Sequence, residues 1–585
     1  MLPSYHMIIV NLILSLLLLI SVLFYRYIYP KKKINIFYLL ILISLLPIVS
    51  IFRSGSYQSG DLNYHTMRTI SYFNVLFTEY SLPRWTSEFY GGFGDPYAMF
   101  AYQLPYFFGS MIHLLGFSFL NSMKIVFALS FIASGIGMYL WAKEELKNRT
   151  FAFVSATFYL FAPYHLVDMH FRATIAESLS FVFPPLLLYL TKKFMDEGKL
   201  KYLFFLTLAF FLLILTHQVV AVSLLPILIL YAVFLSYQKG KFRISNILNY
   251  LVFLIFALWL SAFYWFPILV ESKYIQPSTV IFPSSFWQIL YSPYRLGFLF
   301  QGHKGELSLI IGYTQILVVF LSLIFLFRKK LDGKIKNLLI FSLVIFFFLV
   351  FMILPVSSPV WFTVPFIKSF QFSIRLLVLV SLFTAILAGI VTKIVNKKTF
   401  TIILVGITIG YTMLNWGNRA MIKIDDKILE GIMNTPPSHA TFAGVEASAP
   451  NWVDPSKIPF DAKHLEIIKG DALIKELKRT PYHHNYNLLV KNSTEFMEKT
   501  IYFPGWTLKV NGKVENINYK NKKFPGIITF KLPEGKYNIE LSFEDTPDRT
   551  YSYHASLLGF LAFISYLIIL QKIKIKRLRR NSPKR

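Results

Sequence analysis

The sequence predicts an all-α polytopic membrane protein of about thirteen transmembrane helices, followed by a β-rich, sandwich-like domain near the C-terminus. Two observations predict the helical part. Hydrophobic residues make up 55% of the 585-residue chain and charged residues 15%, with a mean hydropathy of +0.53, outside the range of soluble globular domains. Apolar runs of spanning length then recur along residues 1–416 and again near residue 561. The β part is predicted by strand-like alternation after residue 500, punctuated by turn residues.

The expected spans are centred near residues 17, 43, 130, 156, 184, 209, 227, 258, 318, 346, 383, 408 and 561. The first, about 7–25, has no basic stretch before it and no small-residue cleavage site after it, so it reads as a retained helix. Between the second and third lies a long loop, 53–120, rich in aromatic residues; loops of this length inside a compact region are usually functional. Its stretch 98–117 is only interruptedly apolar, which suits helices lying in the membrane interface. Hydropathy falls from 417 to 550, where Thr507–Val510, Gly526–Leu532 and Tyr537–Phe543 alternate in strand fashion around an Asn511-Gly512 turn. The domains expected are therefore 1–416, 417–550, and a last helix with a basic tail at 551–585.

A net charge of +29 could signal nucleic acid, so its distribution decides. If one side of the membrane receives 31–33, the loops 143–149, 192–201, 239–243, 328–336 and 393–398, and the tail 571–585, it holds 29 Lys and Arg against 5 Asp and Glu. That is the cytoplasmic side by the positive-inside rule. Topology accounts for the charge, and no nucleic-acid partner is expected. The N-terminus and the long loop are then extracytoplasmic and the C-terminus cytoplasmic. The chain has no cysteine, which excludes disulfides, thiolate nucleophiles and cysteine-ligated metals.

The residues able to do chemistry fall on the outer side. Asp61 and His65, in Ser59-Gly60-Asp61-Leu62-Asn63-Tyr64-His65, are four apart and share a helix face, which suits a base with an orienting partner. An N-capping Asp is the structural alternative. Asp95, between Gly94 and Pro96, is turn chemistry first and a second candidate acid after that. His165, Asp168, His170 and Glu177 crowd one outer loop and could hold a divalent cation or form a hydrogen-bond network; the spacing matches no zinc motif. Arg172 and Arg375, at the outer edges of spans, match a phosphate bidentately or snorkel to lipid headgroups. His217 sits in a tight outer turn as a substrate contact or a satisfied inter-helical histidine.

The acid in the first large outer loop, the later Gly94-Asp95-Pro96, the many spans with short inner loops and the C-terminal outer domain resemble the GT-C superfamily of polytopic glycosyltransferases. More narrowly, Gly91-Gly92-Phe93-Gly94-Asp95-Pro96, Phe171-Arg172-Ala173 with Ala176-Glu177, and Gln371-Phe372-Ser373-Ile374-Arg375 resemble the bacterial membrane family labelled pyruvoyl-tetrahydropterin-synthase-related. The soluble synthase's zinc-histidine site has no counterpart here. Tyr502-Phe503-Pro504-Gly505-Trp506 with Asn511-Gly512-Lys513 resembles the outer domain of YfhO-like membrane proteins. The resemblance implies an inverting sugar transfer from a polyprenyl-phosphate donor to a glycan, lipid or protein acceptor in the cell envelope, outside the cytoplasmic membrane. Asp61, and Asp95 beside it, would correspond to the superfamily's catalytic acids, with magnesium or manganese as a conceivable cofactor. The one departure is an additional span before the acidic loop. A flippase for a lipid-linked saccharide and a non-catalytic scaffold remain open beside the transferase.

The charge asymmetry makes the topology testable. Cysteines placed at Ser54 and Ser438 should react with an impermeant thiol reagent in intact cells, and one at Ser582 should not; the reverse pattern would invert every assignment above.

Overall fold

The computed structural model describes residues 6–238, 244–276, 281–282, 311–328, 331–364, 367, 370–413, 416, 420–433 and 448–581. Ser438 and Ser582 lie outside them. Six described helices are long and apolar enough to cross a membrane: Met7–Ile28, Phe119–Leu146, Gln218–Gln238, Gly333–Ile353, Ser373–Val395 and Pro547–Lys572. Two bent pairs, Arg149–Leu160 with Pro163–Arg172 and Tyr250–Leu260 with Ala262–Tyr274, raise the number to eight if each is one span.

By length and composition the described helices therefore do not confirm thirteen spans. The runs near 43, 209, 318 and 408 fall on the shorter apolar helices Ile36–Phe52, Leu200–Thr216, Tyr313–Arg328 and Lys398–Thr412. The run near 184 falls on Phe183–Glu197, which ends in Lys192, Lys193, Asp196 and Glu197. Hydropathy sums residues across a window, whereas Ala162-Pro163 and Ser261 break the helix inside the window. Ser373–Val395 is apolar on all sides and 94% buried at the centre of the bundle, while Met7–Ile28 is 11% buried and lies at its edge.

The long loop 53–120 folds into short helices, among them Leu62–Thr78, Tyr97–Phe100 and Leu104–Leu114. The last has 11 residues, about half of what a bilayer core requires, so it does not span. It buries Tyr106, Gly109 and Ser110 while leaving Phe107, Phe108 and Leu114 exposed, the amphipathic pattern expected of an interfacial helix. After the last central span the chain returns to this loop. Strand β1 (Ser56–Tyr57) pairs antiparallel with β2 (Met421–Ile422), and the Asp426 carboxylate accepts the backbone N–H groups of Phe119 (2.7 Å) and Leu120 (3.0 Å), capping the helix Phe119–Leu146.

The C-terminal β unit contains β3 (Leu465–Lys469), β4 (Ala472–Arg479), β5 (His483–Val490), β6 (Thr494–Ile501), β7 (Trp506–Val510), β8 (Lys513–Glu515), β9 (Ile527–Leu532) and β10 (Gly535–Phe543). They form two antiparallel sheets, β4-β5-β10-β7-β8 and β3-β6-β9. The β7–β8 turn is Asn511-Gly512, both at positive φ, as a two-residue hairpin demands. Between the sheets the fully buried Glu498 meets Arg479 at 2.6 Å, His484 at 2.9 Å and Tyr486 at 3.1 Å. Burial alone would raise its pKa, but Arg479 and His484 outweigh it and hold Glu498 below the ordinary carboxylate range.

This β core is shared with the outer loop rather than closed on itself. Trp85 packs edge-on against Trp506 at 5.6 Å and against Phe543 at 5.5 Å, and the Ile501 N–H donates to the Phe93 carbonyl at 2.8 Å. A second tether joins it to the bundle. Arg549, fully buried at the start of the last helix, makes a two-pronged pair with Glu271 (2.9 and 2.8 Å) and donates to the Pro504 carbonyl at 2.7 Å. Removing one partner leaves the other buried and unpaired, at a cost of about 3–5 kcal/mol. Arg549→Met should lower the thermal unfolding midpoint in detergent, and Glu271→Leu in the same chain should restore much of the loss. A double variant no better than the single one would show that the pair is not the tether.

Candidate functional site

The site begins with a backbone contact. The Gly60 N–H donates to the Phe171 carbonyl and the Asp61 N–H to the Arg172 carbonyl, each at 2.8 Å. A Cβ at residue 60 would stand 3.0 Å from the Arg172 oxygen, so glycine permits the approach. Asp61 then occupies the N-cap position of Leu62–Thr78, but its side chain makes no capping bond. The capping alternative fails, and the carboxylate faces a cavity of about 590 Å³ at the end of the bundle that carries the loop 53–120.

That cavity gathers six of the eight candidate site residues: Asp61, His65, Arg172, Glu177, His217 and Arg375. They come from the outer loop, the turn after Pro163–Val167, the break before Gln218–Gln238, and the approach to the central helix. Arg68, Tyr64, Tyr97, Tyr102 and Gln371 line the same space. A pocket of this size with a few convergent polar groups is the form that small-molecule sites take.

The arginines differ in what already holds them. Arg172 contacts Asp168 at 2.6 Å, Glu177 at 3.1 Å and the Tyr164 hydroxyl at 2.8 Å, so its charge is spent inside the protein. Tyr164 also donates to Glu177. Arg375 donates to the Gln371 side chain at 2.8 Å and to the Phe370 carbonyl at 3.3 Å, and its buried Nε has no partner. Arg68 is 9% exposed, stacks its guanidinium 3.8 Å over the Tyr97 ring, and also leaves a buried Nε unpartnered. Neither Arg68 nor Arg375 makes an ion pair among the described residues. Three guanidiniums, Arg68, Arg172 and Arg375, line the cavity against two carboxylates, Asp61 and Glu177, an excess of positive charge that favours an anionic ligand.

Arg68 was not singled out from the sequence, although a signal was there: it follows Asp61 by seven and His65 by three on one helix face. His65 is not the partner of Asp61. Its Nδ1 meets the Tyr106 hydroxyl at 3.0 Å, which in turn lies 3.1 Å from the Tyr97 hydroxyl. Burial, helped by Arg68, pushes the His65 pKa well down, so the ring is neutral. For Asp61, burial raises the pKa while Arg68, Arg172 and Arg375 oppose it; the net direction is upward. His217 is 1% exposed, stacks on Tyr102 at 5.1 Å and accepts the Val220 N–H at 3.4 Å.

Two expected site residues lie elsewhere. Asp95 does not reach the cavity: it is fully buried and accepts from the Thr86 hydroxyl, the Tyr97 N–H at 3.0 Å and the Ser448 hydroxyl at 3.2 Å. It fastens the loop, as its Gly-Asp-Pro setting suggested. The neighbouring Gly94, at φ +70°, lies under Trp85, where a Cβ would come within 2.6 Å of the indole nitrogen. His170 is buried in the π-helical turn Asp168–Arg172 with its Nε2 unpartnered, outside the cavity lining.

The loop cluster does not assemble as a cation site. His165 stacks on Phe181 at 3.9 Å and meets the Tyr159 carbonyl at 3.1 Å, while Asp168 and Glu177 are engaged by Arg172. Among the described residues no three His, Asp or Glu side chains converge as a ligand set. The hydrogen-bond network is the arrangement found.

Asp95 yields a pH test. Burial lifts its pKa from 3.8 to about 6, against the hydrogen bonds from Thr86, Tyr97 and Ser448. A folded pKa raised above the unfolded one gives stability present below about pH 4 and lost as pH rises through 6, on the order of 2–3 kcal/mol. Asp95→Asn should therefore gain stability relative to wild type between pH 4 and pH 7, measured as thermal midpoints across that range. A difference that does not change with pH would mean that the carboxyl is ionised throughout.

The family model described as "6-pyruvoyl-tetrahydropterin synthase related domain; membrane protein" matches residues 100–418. A protein of Lactococcus lactis subsp. cremoris (strain MG1363), described as uncharacterized, is 28% identical over 252 residues, 41% of each chain. Among solved structures, arabinofuranosyltransferase AftD from Mycobacteria aligns with a TM-score of 0.43 and 17% identity, over 67% of this chain and 27% of that one. The apo oligosaccharyltransferase of Archaeoglobus fulgidus aligns at 0.43 and 11%, over 67% and 56%. This chain thus spans well under two thirds of the length of each. The family match covers more than half of the sequence, and the chain belongs to the 6-pyruvoyl-tetrahydropterin synthase related family of membrane proteins.

Proposed function

We propose that this protein is a GT-C-type glycosyltransferase that moves a sugar from a polyprenyl-phosphate donor to an acceptor hydroxyl of a cell-envelope glycan, lipid or protein. The reaction takes place at the outer face of the cytoplasmic membrane, with the N-terminus outside and the C-terminus inside. One observation carries the reading: a single cavity brings a carboxylate with raised proton affinity, Asp61, together with two guanidiniums, Arg68 and Arg375, that lack carboxylate partners.

Asp61 takes the proton of the acceptor hydroxyl as its oxygen attacks the anomeric carbon. The bond from that carbon to the phosphate oxygen breaks, and polyprenyl phosphate leaves with the electron pair. A single displacement inverts the anomeric configuration. Arg68 and Arg375 neutralise the phosphate charge, which is worth more in a partly desolvated cavity than in water. Arg172 holds the turn that positions Asp61 instead of touching the donor, and Glu177 and His217 line the sugar side.

Asp61→Asn keeps size and most hydrogen bonding but removes the base. Transfer should fall by roughly 10²-fold or more with donor binding retained. Arg68→Lys and Arg375→Lys keep charge but lose the fork, and should weaken donor binding. The assay is release of polyprenyl phosphate by purified protein, with product configuration read by NMR. Donor binding without turnover in wild type would favour a flippase or scaffold; full activity in Asp61→Asn would remove it from the mechanism.

A further inference from the structure

The β unit has an outward face that the transfer chemistry leaves unused. Strands β5 and β10 bury Tyr486, Leu488 and Ile539 in the core, so the residues between them point away from it. On that side Lys475, Asn487 and Asn538 stand in register on three adjacent strands, and Asn511 continues the row from the β7–β8 turn. The Asn538 N–H donates to the Asn511 side chain at 2.8 Å, fixing that end. The next row holds Leu473, Leu489 and Lys536. Together these rows line an open groove of about 540 Å³.

The chemistry of the groove selects its occupant. Adjacent strands lie about 4.8 Å apart, close to the length of one sugar unit, so the asparagines form a ladder of amides at the repeat of a glycan chain. An amide donates and accepts at once, as vicinal hydroxyls require, and no described residue bonds the side chains of Asn487 and Asn538. Leu473 and Leu489, 58% and 40% exposed, offer an apolar surface to the C–H face of a sugar ring. No carboxylate lines the groove, and Lys475 and Lys536 make no ion pair among the described residues, whereas Lys491 and Lys509 of the same unit pair with Asp471 and Glu544.

We infer that this face binds an anionic glycan, a polyhydroxylated chain carrying phosphate or carboxylate groups. The inference stands independently of the transfer reaction, because it concerns binding on a separate surface. The test uses the full chain in nanodiscs of neutral phosphatidylcholine, with a fluorescent polygalacturonate oligomer as probe, a length-matched maltodextrin as neutral control, and phosphatidylglycerol vesicles as the lipid alternative. Polygalacturonate should bind, more tightly than maltodextrin and less tightly as salt rises. Asn487→Ala with Asn538→Ala, and separately Lys475→Gln with Lys536→Gln, should each weaken it about tenfold or more. Lys475→Arg with Lys536→Arg should bind as wild type. These positions are exposed, and an unchanged thermal midpoint checks the fold. Absence of polygalacturonate binding, binding indifferent to both double variants, or equal affinity for maltodextrin would overturn the proposal. So would variant-sensitive binding of vesicles in place of the oligomer. Because no donor is present, either result leaves the test of Asp61 intact.

Discussion

The arrangement at the cavity end of the bundle depends on one guanidinium shared by two carboxylates, Arg172 with Asp168 and Glu177. All three groups are buried or nearly so; two carboxylates share the one guanidinium, and the Tyr164 hydroxyl helps answer the charge on Glu177. This cluster fixes the π-helical turn 168–172, whose last two carbonyls take the N–H groups of Gly60 and Asp61. The position of the candidate base is thus set by backbone bonds to a turn that a salt bridge holds. The same pairing withdraws Arg172 from solvent chemistry and leaves Arg68 and Arg375 as the cations facing the cavity without carboxylate partners.

Around this point the protein spends polar groups on fastening segments distant in sequence. Asp426 caps the helix that starts at Phe119, Glu271 grips Arg549, and Asp95 binds Thr86 and Ser448. Glu271, Arg549 and Asp95 are buried, where a hydrogen bond is stronger and its loss more costly than in solvent. The β unit is held through both routes, by the aromatic contact of Trp85 with Trp506 and by the Arg549 contact with Pro504. The loop that carries Asp61 and the unit that carries the amide ladder therefore share one apolar core.

Much of the candidate site is legible in the sequence. Asp61, Arg375, Glu177 and His217 were marked because ionisable residues at span ends are expensive to keep, and all four reach one cavity. In the sequence Arg68 looks like any solvated basic residue of an amphipathic loop helix; only its burial and its place on the cavity wall distinguish it. Asp95 and His170 were marked for their residue type, which says nothing about whether a side chain faces a cavity or a wall. The strands β3 to β5 were passed over because Lys475, Lys478 and Asn487 blur the alternation on the outward side of the sheet.

By itself the sequence determined that the chain is a membrane protein and that a β unit follows the helices. These are properties of composition and period, summed over many residues, and local errors average out. Tertiary structure alone decided how many apolar runs are single helices, which arginine is neutralised, and which carboxylate caps, fastens or faces the cavity. Those outcomes turn on distances of a few ångströms, some between near neighbours, as for Arg172 with Asp168, and some between residues hundreds of positions apart, as for Asp426 with Phe119. Whether a charge is paired or free is a property of its neighbours in space, and no pattern along the chain records it.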